Sequence, residues 1–209
     1  MSNELYYTKR IIPVFGELEY NLAQEIVLGL LEYNAQDSHA PIIMLINSPG
    51  GIAESFFGIY DVMKYISNPI VTVAVGDASS AAAFLLASGT PNLRFASENS
   101  SIMIHQLQLA MGDSFTTVND LSVKVSDFNG LNDKLISIVS KLTKQSKERL
   151  KKDMEKDLYL KPKEAQNYGI IDHIGIMTDK EFFNNISVIV PKVTKEQNQP
   201  SKSRKKTTK

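Results

Sequence analysis

Two stretches of this chain, Pro41–Asn47 (PIIMLIN) and Pro69–Val75 (PIVTVAV), contain no charged residue and are dominated by branched apolar side chains. A strand with one wet face alternates apolar and polar residues, whereas a strand covered on both faces does not. Each run therefore reads as a strand buried between layers. The residues after each run restrict the fold further. The first run meets Ser48-Pro49-Gly50-Gly51 and then a helical pattern over Ile52–Ile66; the second meets Gly76-Asp77-Ala78-Ser79 and then Ser80–Ser88. Upstream, Arg10–Phe15 reads as a strand, with Pro13 suiting an edge, and Leu22–Tyr33 carries apolar residues at helical spacing. Three successive β-turn-α units imply an α/β fold with a parallel sheet and right-handed crossovers.

The pattern then changes. Asn92–Ala96 and Ile102–Leu109 read as two strands around a polar link. Val118, Leu121, Val125, Phe128, Leu131, Leu135, Ile138 and Leu142 come next at steps of three and four, a helix of about seven turns. A helix this long can outreach a small domain, so part of its stripe is available to another subunit. Shorter helices are expected at Lys147–Met154 and Lys161–Tyr168, the latter stopped by Gly169, with a last strand at Ile186–Val190. The expected organisation is one domain over residues 1–191 and a disordered basic tail over 192–209.

Composition excludes several classes. With 43% hydrophobic and 22% charged residues, the 209-residue chain is globular and long enough for a real core. Its net charge is zero, which argues against chain-wide attraction to nucleic acid or an anionic membrane. Residues 192–209 nevertheless hold seven Lys/Arg against one Glu, leaving a net −6 on the rest. The absence of cysteine removes disulfides and thiolate chemistry. The first residues lack a basic segment followed by an apolar one, and the most apolar window is interrupted by Gly76 and Asp77, so a cytoplasmic protein is expected.

The candidate chemistry sits at the turns. Ser79 and Ser80 lie where a buried strand becomes a buried helix, beside the unpaired N–H groups of a first helical turn. Such serines commonly cap the helix, and the same position suits a nucleophile; local sequence leaves both open. Gly50-Gly51 permits close approach to the main chain and an N–H held open for a carbonyl oxygen. It is no phosphate loop, since neither glycine-rich nucleotide pattern is present. Of the three histidines, His39 lies in a polar link, His173 follows Asp172, and His105 ends an apolar run. No metal-ligand spacing occurs. Asp153, Asp157 and Asp172 all remain open as acid partners.

Taken together, several motifs in register resemble the Clp protease proteolytic subunit family. They are Ile46-Asn47-Ser48-Pro49-Gly50-Gly51, Ile59-Tyr60-Asp61, the segment Gly76–Ala87, Arg94-Phe95-Ala96, Met103-Ile104-His105-Gln106, Leu131-Asn132, Lys156-Asp157 and Glu164–Asp172. The resemblance covers about residues 6–176. It implies a serine endopeptidase with Ser80 as nucleophile, His105 as general base and Asp157 as the orienting acid. The N–H groups of Gly51 and Ala81 would form the oxyanion hole, and Ser79 would pack or hydrogen-bond. It further implies a barrel of two stacked seven-membered rings, with Val118–Leu142 at the ring-to-ring contact. Peptides and unfolded proteins would be the substrates, delivered by an AAA+ unfoldase. No intrinsic cofactor is implied, ATP being used by that partner alone.

The chain departs from the family pattern in places. Few residues precede Leu5-Tyr6-Tyr7, where the family has a longer pore-lining segment. Leu107–Gly112 replaces a glycine-rich segment, Lys156 replaces a common arginine, and Ala81-Ala82 replaces Met-Gly. A specialised relative, such as a phage-type maturation protease, and a non-catalytic structural subunit of a Clp-like ring are the alternative readings.

Overall fold

A computed structural model describes residues 10–108 and 117–175. The strand expected at Ile186–Val190, Leu109 at the end of the one expected at Ile102–Leu109, and both termini lie outside the described residues. The latter strand stops at Ile104, and residues 105–108 are not strand, because its ladder to the antiparallel partner ends there. The elements alternate as β1 (Ile11–Phe15), α1 (Tyr20–Gln36), β2 (Ile42–Ser48), α2 (Ala53–Tyr65), β3 (Ile70–Ser79) and α3 (Ala81–Ala87). They continue with β4 (Arg94–Ala96), β5 (Ser101–Ile104), α4 (Val118–Thr143), α5 (Lys147–Asp153), β6 (Leu158–Leu160), α6 (Pro162–Tyr168) and β7 (His173–Ile174).

The sheet runs β1-β2-β3-β4-β7, and every pair along that path is parallel. Its central strand, β3, is longer than its apolar run suggests because it is shared between two neighbours. Thr72–Ala74 pairs with β4, whereas Asp77–Ser79 pairs with β5, so the sheet forks near Gly76. On the far side of β5, β6 adds the one antiparallel pair among the described strands, with Ile104 opposite Leu158. Neither three-residue β6 nor two-residue β7 carries enough alternation to be read in isolation; both exist through long-range pairing.

The core lies beneath α3, all seven of whose residues are buried. Ala81, Ala82 and Ala83 let the helix approach the sheet, while Phe84, Leu85 and Leu86 fill the space around it; full burial of each large side chain stabilises by roughly 1.5–3 kcal/mol. Arg94 ties the outer layer down. Its Nε and Nη2 donate to the two Asp172 carboxylate oxygens at 2.8 and 2.6 Å. Its Nη1 donates to the carbonyls of Gly169 at 2.8 Å and Leu142 at 3.2 Å, at the ends of α6 and α4. Burial alone would raise the Asp172 pKa, but the guanidinium's hydrogen bonds and charge outweigh it and hold the carboxyl below its ordinary value.

Helix α4 spans 26 residues, about 39 Å, and its buried residues fall only in the second half: Leu135, Ile136, Val139 and Thr143. Val118, Val123 and Val125 in the first half are exposed. No described helix is long and apolar enough to cross a membrane.

Candidate active site

The sheet's registers determine which side chains meet. Ser79 pairs with Met103, and the Ser80 N–H donates to the Met103 carbonyl at 2.8 Å, so the end of β3 is fixed beside the end of β5. Because Ile104 stands opposite Leu158 in an antiparallel pair, the next position outward on each strand brings His105 toward Asp157. Accordingly, His105 Nε2 lies 2.7 Å from Ser80 Oγ, and His105 Nδ1 lies 3.1 Å from Asp157 Oδ1. The imidazole is largely covered, with 14% of its side chain exposed, whereas the Asp157 side chain is 48% exposed.

Neither adjacent serine caps α3. Ser80 makes no side-chain cap hydrogen bond; its hydroxyl faces His105 instead. Ser79 is buried, and its hydroxyl donates to Asp77 Oδ1 at 2.5 Å. Ser80 also has φ 54°, ψ −125°, a conformation that costs a side-chain-bearing residue about 1–3 kcal/mol and collects at functional sites. The backbone bond to Met103 and the close approach of Gly50 hold it there.

The Gly50-Gly51 turn presses against this junction. A Cβ on Gly50 would lie 2.6 Å from the Ser79 carbonyl oxygen, 2.7 Å from Ser80 Cβ and 3.0 Å from the Ala81 nitrogen. Only a glycine fits, and its φ of 93° is also one that glycine tolerates best. The turn is pinned on both sides: the Gly50 N–H donates to Ser48 Oγ at 3.1 Å, and the Ile52 N–H to the Leu18 carbonyl at 3.0 Å. Between them, the Gly51 N–H has no backbone acceptor among the described residues, and neither has the Ala81 N–H. Two uncommitted donors thus belong to segments that meet at Ser80.

Contacts also separate the three aspartates. Asp153 accepts from the Tyr168 hydroxyl at 2.9 Å and Arg149 Nε at 3.2 Å, and Asp172 is held by Arg94. Asp157 alone of the three contacts a histidine. His39 lies exposed beside Ser38 and Asp37, and His173 stacks on Phe95 with its Nε2 3.1 Å from the Asn92 carbonyl oxygen. Two further residues neighbour the site without a role assigned to them from sequence. Asn47 Oδ1 accepts the Asp77 N–H at 3.0 Å, steadying the fork, and Gln108 Nε2 lies 3.2 Å from His105 Nδ1.

A hydroxyl at a strand-to-helix turn, touching an imidazole and flanked by open N–H donors, is the equipment of a hydrolase that works by acyl transfer. The family model described as Clp protease matches residues 2–178, and the chain belongs to that family. It is therefore a peptidase of the Clp type.

Proposed function

We propose that this chain is the proteolytic subunit of a self-compartmentalised serine endopeptidase acting in the cytoplasm. What carries the proposal is the unbroken line of contacts from Asp157 through His105 to Ser80 Oγ, at 3.1 and 2.7 Å. His105 takes the Ser80 proton as Oγ attacks a peptide carbonyl, and the oxygen that gains the charge meets the N–H groups of Gly51 and Ala81. Each such donor is worth about 3–4 kcal/mol in the transition state. His105 then returns the proton to the leaving amine, and the amide C–N bond breaks to leave an acyl-Ser80. A water, deprotonated by His105 in turn, hydrolyses that ester and restores the hydroxyl. Asp157 holds the imidazole with its proton on Nδ1.

The assembly reading rests on α4. Val118, Val123 and Val125 are 80%, 61% and 43% exposed on a helix whose other half is packed, which suits contact between two stacked seven-membered rings. An AAA+ unfoldase supplies substrate and is the sole user of ATP; without it the subunit cuts short or unfolded peptides. The working domain is assigned to residues 1–191, and residues 192–209 are a basic extension rich in Lys and Arg.

A fluorophosphonate should modify Ser80, and Ser80→Ala should lose both the label and about 10⁴–10⁶-fold in kcat on a fluorogenic peptide. Native mass spectrometry should give the same particle mass for both proteins. Retained turnover in the variant would overturn the nucleophile assignment. An unlabelled parent in intact rings would favour a structural subunit.

A further inference from the structure

The line of contacts leaves one neighbour of His105 unused. Gln108 Nε2 lies 3.2 Å from His105 Nδ1, the same ring nitrogen that lies 3.1 Å from Asp157 Oδ1. An imidazole nitrogen has one in-plane site: it carries a proton and donates, or bears a lone pair and accepts. A carboxylate only accepts, and an amide NH₂ only donates. The two contacts therefore require opposite tautomers. We propose that Gln108 is a positioning residue that competes with Asp157 for His105 Nδ1 and holds part of the population with the ring proton on Nε2. In that tautomer His105 donates to Ser80 Oγ and cannot take its proton. The inference rests on the triad reading above and adds a brake to it.

The surroundings hold both competitors beside the ring. Gln108 comes directly after two anchored residues: the Gln106 N–H donates to the Met154 carbonyl at 2.9 Å, and the Leu107 N–H to Asn132 Oδ1 at 3.2 Å. The amide is thus delivered beside the ring by a segment held to α4 and to the end of α5. Asp157, for its part, has 48% of its side chain exposed, so water weakens its hold. Passing between tautomers removes a proton from Nδ1 and adds one at Nε2 through water at the ring's open edge, leaving the imidazole neutral. A peptide carbonyl that accepted the Gln108 amide would release the ring, coupling substrate arrival to the competent tautomer.

Two substitutions separate this from a structural role, and both are tolerable because Gln108 is exposed. Gln108→Leu removes the competing donor. Gln108→Glu supplies an acceptor that suits the tautomer Asp157 requires. Both should raise kcat on a short peptide by about two- to tenfold, the range spanned by one net hydrogen bond. The ¹⁵N spectrum of the His105 imidazole, identified by subtracting that of His105→Ala, should move toward the Nδ1–H tautomer in both. If instead Gln108 turned its carbonyl to the ring and supported the base, Gln108→Leu would lower kcat; that result overturns the proposal, as does a tautomer pattern indifferent to position 108. A parent in which phosphonate leaves Ser80 unmodified brings down the triad and this inference together. A labelled parent whose rate and tautomer ignore position 108 brings down this inference alone.

Discussion

Gly50→Ala tests the site's construction through one methyl group. The added Cβ would meet Ser79 O at 2.6 Å, Ser80 Cβ at 2.7 Å and Ala81 N at 3.0 Å, all of them on or next to main chain that cannot swing aside. Left-handed backbone costs an alanine about 1–2 kcal/mol, and forcing a methyl into a packed contact costs about 1–3 kcal/mol. Together these destabilise the protomer by about 2–5 kcal/mol. Gly16 provides the control, since its φ is 86° yet nothing lies within 4 Å of its Cβ position. Gly16→Ala should show the backbone cost alone, about 1–2 kcal/mol. Any relief of the clash moves Ser80 or the Ala81 N–H, and a displacement near 1 Å costs about 10²-fold in rate. Denaturant titration at fixed protomer concentration, beside kcat on a short peptide, separates the two variants. Equal losses in both, with kcat unchanged in Gly50→Ala, would refute the idea that the turn shapes the seat of Ser80.

Asp157→Asn should lower kcat by about 10²–10³-fold; a buried triad aspartate is worth about 10⁴, and this carboxylate is half exposed. Peptide hydrolysis measured beside an intact native mass checks it. Arg94→Met leaves Asp172 without its partner, and breaking such an enclosed pair costs about 3–5 kcal/mol by chemical denaturation. Since the folded Asp172 pKa is lowered, the stability it contributes is complete above about pH 4 and is lost as pH falls through the folded value. The deficit of Asp172→Asn should therefore be widest near neutrality and close on acidification, as read from unfolding midpoints against pH. Replacing Val123 and Val125 with Glu should leave the protomer folded, because both are exposed, and should halve the particle mass if α4 joins two rings.

Local patterns carried much of this into the sequence. The two charge-free runs announced β2 and β3, and the stripe from Val118 to Leu142 located α4 to within a residue of its end at Thr143. Each depends on neighbours a few positions away. The rest depends on distant ones. β3 runs on to Ser79 because β5 pairs with its second half, and β5 ends at Ile104 because its ladder to Leu158 ends there. Spacing could not choose among Asp153, Asp157 and Asp172; family resemblance favoured Asp157, which in the fold stands just before β6 and is the one of the three in contact with a histidine. Gly50 reads as a turn residue, with nothing to say that Ser80 lies against it, and Gln108 reads as one more polar residue after a strand.

The forked sheet has a consequence for when this chemistry becomes available. Hydroxyl, imidazole and carboxylate come from three separate segments, and two ladders of three residues each, both involving β5, bring them together. A slip of one residue in β5 would turn His105 to the opposite face and part it from both neighbours at once. In a half-made or damaged subunit that lacks either ladder, the hydroxyl, imidazole and carboxylate would not meet, so the topology itself decides when the three groups come together.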